Sequence, residues 1–439
     1  MEEIMDEEDN RNNDDNSSNR NDVAPALIAV HPFHISVAVA IASELRVFDL
    51  KGNCSVTLKV DSGGSLHHDL IRAIQFGANG KLFVSAGDDK LVKIWKTDSW
   101  HCINTVNSEK RVSAVAISND GHYVCFADKF GVVYVVDLQG LDEDKSLINR
   151  KATTILAHYC SIITSLEFSP DGKFVISADR DHKIRVTVFP KKPLAGAHEI
   201  QSFCLGHTEF VSCLAFAYSP DCPRGYLVSG GGDSTVRSWD MTFGTLLSTC
   251  EVGTEAGSLE SNKREEDICH AVTCICTTSN GTSVAVAVQG LQGVILLNCD
   301  LSNGTLSTAK VVPIGGGAFI PTCLASSLSS DFLWMVFGVS SLSGVDSPSL
   351  LGVRVLSLSK KSATDATADE PMVLEDKEIP GGAKLLEKLQ GSVSIEEKLF
   401  PVAAEAMKAA MRNLLTKKQY PAENREFRKR GRNDRKFKQ

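Results

Sequence analysis

Ser229-Gly-Gly-Gly-Asp-Ser-Thr-Val-Arg-Ser-Trp239 decides how this chain is read, because two other stretches repeat its frame. They are Ser85-Ala-Gly-Asp-Asp-Lys-Leu-Val-Lys-Ile-Trp95 and Ser177-Ala-Asp-Arg-Asp-His-Lys-Ile-Arg-Val-Thr187. Each has a Ser, an Asp four residues later (Asp89, Asp181, Asp233), and an alternating run that ends at Trp or Thr. A His precedes each frame: His68, His158 and His207. The serines lie 92 and then 52 residues apart, which is two units of 46 followed by one of 52. A period of about 40–50 residues belongs to small four-stranded sheets repeated around an axis.

Turn signals fall at one phase of each unit. Gly77-Ala-Asn-Gly80, Ser118-Asn-Asp-Gly121, Ser169-Pro-Asp-Gly172, Ser219-Pro-Asp221 and Ser279-Asn-Gly281 separate pairs of short apolar runs. Asn-Gly and Asp-Gly supply the positive φ that tight hairpins require. Flanking runs such as Ala73-Ile-Gln-Phe76 and Leu82-Phe-Val84 have strand length and strand period. Weaker units fill 26–60 (with Phe48 in the Trp position), 107–138, 268–306 and 317–378, the last with an insert around Ser340 to Ser349. The count is seven. The chain therefore reads as all-β, a seven-bladed WD-repeat β-propeller over 23–380, between an acidic arm at 1–22 and a linker, helix and basic tail at 381–439. Strands from either terminus can complete the ring.

The recurring Ser, His and Asp invite a nucleophilic triad, which needs one exposed Ser oriented by one His. A triad occurs once per site, whereas this set recurs in phase. It reads instead as the buried tetrad of each blade, in which Asp orients His while His and Trp donate to the Ser hydroxyl. His207, Ser229, Asp233 and Trp239 form the complete example.

Composition excludes several classes. The chain has 439 residues, 43% hydrophobic and 23% charged, with net charge −8. Residues 1–22 carry −7 and residues 408–439 carry +9, which leaves −10 on the body. An acidic body does not bind nucleic acid over its whole surface, but a basic tail binds it locally. Thirteen scattered cysteines behind an acidic start without an apolar leader are expected to be reduced, mostly small core residues. Asn-Gly and Gln-Gly break the uncharged stretch from Ala271 to Cys299, so no membrane span is expected. No Gly-Lys-Ser/Thr follows Gly230-Gly-Gly232, so it is no phosphate loop. Cys274 and Cys276, near Cys269-His270, alternate on a strand as small core residues rather than as metal ligands. No catalytic residue, metal or cofactor is assigned, and the chain reads as a non-enzyme.

Ile176-Ser-Ala-Asp-Arg-Asp-His-Lys-Ile-Arg-Val186, Phe203-Cys-Leu-Gly-His-Thr-Glu-Phe-Val-Ser212 and Ser229 to Asp240 are more specific than generic WD repeats. Together they resemble the non-catalytic WD-repeat subunit of the tRNA guanine-7 methyltransferase, sharply over 150–245 and more loosely over 25–360. The resemblance implies a heterodimer with a Rossmann-like catalytic subunit that holds S-adenosylmethionine. The pair would form 7-methylguanosine in the tRNA variable loop, and this chain would stabilise its partner. It also implies partner contacts in the 177–187 segment. Thr187 stands where Trp is expected, so this blade has given up part of its internal network. Arg180, Lys183 and Arg185, on its rim, are the candidate docking residues, with Arg185 ranked first and no loss of folding expected on truncation.

Beyond Pro401, apolar residues recur at helical spacing from Val402 to Leu415. The tail then offers Lys417, Lys418, Arg425, Arg428, Lys429 and Arg430 for tRNA phosphates, or as a nuclear import signal. The expected compartment is the nucleus, and also the cytoplasm, with no membrane partner. The alternative is a substrate receptor of a ubiquitin ligase. Such receptors often carry Trp-Asp-x-Arg, but Trp239-Asp240 is followed here by Met241-Thr242.

Overall fold

The computed structural model describes residues 24–60, 65–139, 151–158, 161–254, 270–315, 319–339, 350–358 and 371–391. The expected acidic arm, the loop insert at 340–349, the helix after Pro401 and the basic tail lie outside the described residues. Among the described residues, twenty-eight strands form seven four-stranded antiparallel sheets. Blade 1 is β1 (Leu27–Val30), β2 (Ser36–Ile41), β3 (Glu44–Asp49) and β4 (Cys54–Ser55). Blade 2 is β5 (Ile71–Gly77), β6 (Leu82–Gly87), β7 (Leu91–Lys96) and β8 (His101–Asn107). Blade 3 is β9 (Val112–Ile117), β10 (Tyr123–Asp128), β11 (Val132–Asp137) and β12 (Thr153–Ala157). Blade 4 is β13 (Ile163–Phe168), β14 (Phe174–Asp179), β15 (Lys183–Val188) and β16 (Ile200–Leu205). Blade 5 is β17 (Val211–Ser219), β18 (Cys222–Gly231), β19 (Thr235–Asp240) and β20 (Thr245–Glu251). Blade 6 is β21 (Val272–Thr277), β22 (Ser283–Val288), β23 (Gly293–Asp300) and β24 (Thr305–Pro313). Blade 7 is β25 (Cys323–Ser327), β26 (Ser330–Val339), β27 (Leu350–Ser357) and β28 (Met372–Val373).

Each sheet is a meander, so every pairing is between sequence neighbours. The turns read from sequence close the first hairpins, with Gly121, Gly172 and Gly281 at positive φ. At Gly281 a Cβ would also meet the Tyr218 carbonyl oxygen of the neighbouring blade. The innermost strands touch in a ring, β1 to β5, β9, β13, β17, β21, β25 and back to β1. Middle strands such as Val37–Ile41 and Val284–Val288 are buried along their whole length, because a blade packs on both faces.

Ring closure uses no shared strand. Blade 1 comes wholly from the N-terminal side and blade 7 wholly from the C-terminal side. They meet where Ala26 N–H donates to Gly338 O (3.0 Å) and Thr322 Oγ1 donates to Ala26 O (2.7 Å). A short helix, α1 (Gly382–Gln390), then lies across the seam against β3, β4 and β27. Its Leu385, Leu386 and Leu389 enter one apolar cluster with Val37, Ile41 and Phe48 of blade 1 and Trp334, Val353 and Val355 of blade 7. Gly381 enters the helix at φ 88, where a side chain would strike Phe48. Arg46 Nη1 donates to Leu389 O (3.0 Å), satisfying a carbonyl at the helix end.

Candidate partner-docking face

The tetrads come first, because they fix the rim of each blade. In blade 5, Trp239 Nε1–H donates to Ser229 Oγ (2.8 Å), Ser229 Oγ lies 2.8 Å from His207 Nε2, and His207 Nδ1 lies 3.0 Å from Asp233. An ionised Asp accepts only, so His207 carries its proton on Nδ1 and, contrary to the expected donation, accepts from Ser229. Burial opposes ionisation of Asp233, yet the hydrogen bonds from His207 and Thr235 outweigh it and hold the carboxyl down to about 2. The four side chains are satisfied by one another, and this Ser cannot serve as a nucleophile.

Two members of the expected tetrads are corrected. In blade 2 the buried histidine is His67, not His68. His67 Nδ1 sits 2.7 Å from Asp89 and Nε2 2.8 Å from Ser85, whose Oγ also accepts from Trp95 (3.0 Å). The His68 side chain is 68% exposed. In blade 4 the acid is Asp179, not Asp181. His158 Nδ1 lies 2.8 Å from Asp179 and Nε2 2.7 Å from Ser177.

The reason is local. In blade 5 the residue two after Ser is Gly231, and a Cβ there would intrude between His207 and Asp233. The acid must then come from the turn. In blade 4 that same position is Asp179, which reaches the His from the strand end and accepts the Asp181 and Lys183 N–H groups (2.8 and 3.1 Å). The turns still correspond, since Lys90, His182 and Ser234 all take positive φ.

Blade 4 also replaces the indole. Thr187 is fully buried, and its Oγ1 accepts Arg185 Nε (3.1 Å). Arg185 Nη1 donates across to Ala157 O of blade 3 (3.1 Å). Burial pulls the Arg185 guanidinium below its usual range. Arg185 therefore ties two blades together and is partly occupied. Arg180 sits on the turn after β14, its N–H on Ile162 O (3.0 Å), with a buried Nε that has no partner among the described residues. Lys183 is exposed, and no hydrogen bond or ion pair of its side chain is present among the described residues. The three cations thus share one end of one blade.

Sequence reasoning missed the apolar half of this face. Lys183 pairs with Leu205 and Arg185 with Phe203 on the outermost strand β16. Directly opposed residues share a sheet face. Leu205 is 61% and Phe203 44% exposed, while Cys204 between them is buried. The alternation Phe-Cys-Leu with the smallest residue inside was the available signal. Two large exposed apolar side chains beside cations, one of them an Arg, suit an interface with apolar anchors and a charged rim.

Two clefts of about 340 and 360 Å³ lie beside α1 and blades 1 and 2 and are lined by residues such as Glu44, Arg46, Leu66 and Lys388. Among the described residues, no three His, Cys, Asp or Glu side chains converge as a metal set, and no helix is long and apolar enough to cross a membrane. Cys269 lies outside the described residues.

The model of the tRNA methyltransferase TRM82 WD40 domain matches residues 55–156 and 139–334. The chain belongs to that family. Its relatives include the tRNA (guanine-N(7)-)-methyltransferase non-catalytic subunit wdr4 of Dictyostelium discoideum, 27% identical over 63% of this chain and 59% of the relative. The Danio rerio protein of the same name is 34% identical over 56% of this chain and 55% of the relative. The chain thus spans about 40–60% of the length of the curated relatives it matches. Solved propellers share the fold at lower identity. A chain of the Mitotic Checkpoint Complex has a TM-score of 0.56 at 15% identity, covering 75% of this chain and 90% of its own length. U3-55K has 0.56 at 17%, covering 71% and 88%.

Proposed function

We propose that this chain is the non-catalytic subunit of a heterodimeric tRNA (guanine-N7)-methyltransferase. It binds and stabilises a separate catalytic subunit, which holds S-adenosylmethionine and modifies the tRNA variable loop. Family membership and the names of the relatives support this reading. The single observation that carries the docking site is the basic and apolar strip of blade 4, Lys183 and Arg185 opposite Leu205 and Phe203. It lies within the segment that the family model matches.

A partner with an acidic and apolar surface fits this strip. Lys183 leads, because its ammonium is exposed, and Phe203 and Leu205 act as anchors. Arg180 and Arg185 contribute charge, and Arg185 also ties the blade rim to blade 3. The reading assigns tRNA phosphate contact to Lys417, Lys418, Arg425, Arg428, Lys429 and Arg430 of the tail, and places the complex in the nucleus and also in the cytoplasm.

The test is reconstitution. The chain alone should neither bind S-adenosylmethionine nor methylate tRNA, and mixing it with the catalytic subunit should yield 7-methylguanosine. Lys183→Glu and Phe203→Ala should each weaken co-purification while the isolated chain melts as before. Truncating one member of a buried interfacial charge pair typically costs about 2–5 kcal/mol, and reversal adds a like-charge clash. Donor binding by this chain alone, or full affinity in both variants, would overturn the assignment.

A further inference from the structure

We propose that Cys274 and Cys323, on the inner strands of blades 6 and 7, are an oxidisable thiol pair that closes to a disulfide between the two blades. The inference is independent of the methyltransferase reading.

Inner strands of this propeller are stitched to their neighbours by short side chains. Thr164 Oγ1 donates to Val211 O, linking blade 4 to blade 5 (2.5 Å). Three consecutive blades use cysteine for the same task. Cys213 of blade 5 bonds the backbone at Ile275 of blade 6. Cys274 Sγ accepts the Leu324 N–H of blade 7 (3.3 Å), and Cys323 Sγ–H donates to Ile28 O of blade 1 (3.6 Å). Leu324 N is the atom bonded to the carbonyl carbon of Cys323. The Cys274 sulfur therefore lies one peptide unit from Cys323, close enough for each thiol to shift the ionisation of the other. A disulfide spans Cβ atoms about 3.5–4.5 Å apart, so the proposal requires the two side chains to turn toward each other across the seam between the blades. Both residues are only partly buried, which leaves space for a reagent as small as peroxide.

The electrostatics divide the roles. The nearby Cys274 thiol lowers the Cys323 thiol, and Cys323 in turn raises that of Cys274. Burial pushes neighbouring Cys213 up to about 12 and Cys276 up to about 11, so these remain protonated. Thiolate is the nucleophilic form. Cys323 thiolate attacks hydrogen peroxide, the O–O bond breaks, and Cys323 becomes a sulfenic acid as one water forms. Cys274 gives up its proton and attacks that sulfur, the S–O bond breaks, and a second water leaves. Two electrons pass from the sulfurs to peroxide. Thiols and peroxide become one disulfide and two waters.

The experiment oxidises the full chain with hydrogen peroxide, blocks remaining thiols under denaturing conditions and maps unreduced peptides by mass. The expected product is a peptide pair joined through Cys274 and Cys323, released by reductant and absent from Cys274→Ser and from Cys323→Ser. In Cys274→Ser the sulfenic acid should persist on Cys323 and be trapped by dimedone. Exposed Cys54 is the internal control for oxidant strength. The wild-type map decides the matter even if either variant folds poorly. Recovery of Cys274 and Cys323 as free thiols while Cys54 is oxidised, or linkage of Cys323 to Cys213 instead, would overturn the proposal.

Discussion

Replacing both Leu385 and Leu389 with alanine should release α1 and open the ring at one place. Both leucines are fully buried, one helical turn apart, in the cluster that joins blade 1 to blade 7. A buried Leu→Ala change typically costs about 2–5 kcal/mol, transfer and cavity terms together. The two sites share one cavity, so their costs do not simply add. A nine-residue helix also has little stability apart from its docking, so the loss saturates once the helix detaches. We expect about 4–6 kcal/mol for the pair, a large share of the ~5–15 kcal/mol that holds a domain folded. Amide hydrogen exchange read by mass spectrometry reports where that loss falls. Exchange should accelerate in β3, β4, β27 and β28, while blades 3 to 5 keep their protection and blade 4 still captures its partner. Exchange that rises equally in all seven blades would refute the seam as a local unit. Unchanged exchange at the seam would refute α1 as its latch.

Asp179→Ala should cost about 1–3 kcal/mol, since it strips His158 and the turn amides of their acceptor, whereas Asp181→Ala should cost much less; paired thermal melts compare them directly. Arg185→Ala should lower the melting temperature as well as partner affinity, because the guanidinium bridges Thr187 and Ala157 O, while Lys183→Ala should lower affinity alone. Glu167, on the inner strand of blade 4 with Gln75 Nε2 at 3.1 Å, is pushed up to about 8 by burial, against the opposing hydrogen bond. A raised carboxyl keeps its proton in the folded state after the unfolded chain has lost it, so stability should fall as pH rises from about 4.5 to 8. Glu167→Gln should remove that slope and gain about 1–4 kcal/mol at pH 8, with little change at pH 4, measured by denaturant unfolding across pH.

The reversed ranking of Arg185 and Lys183 shows how far the residues could be read unaided. Both stood out as cations beside a missing tryptophan. Only the packed blade reveals that Arg185 folds back over Thr187 while Lys183 is left to solvent. The apolar partners were harder, because Phe203 and Leu205 look like ordinary strand residues until β16 is known to be outermost.

What the amino-acid order determined by itself was set within one unit: the hairpin turns at Gly121, Gly172 and Gly281, the period, the count of seven, and the complete tetrad of His207, Ser229, Asp233 and Trp239. These depend on contacts inside a single blade or with the loop leading into it, so a local pattern carries them. Tertiary structure decided whatever needs a second blade or a choice between neighbours. It chose His67 over His68 and Asp179 over Asp181, because only one of each pair reaches the buried Ser and His. It closed the seam with Leu385 and Leu389, on a helix too short to hold without the two blades it covers. It also set Cys274 beside Cys323, 49 positions apart in the chain and adjacent only because successive inner strands converge on one axis.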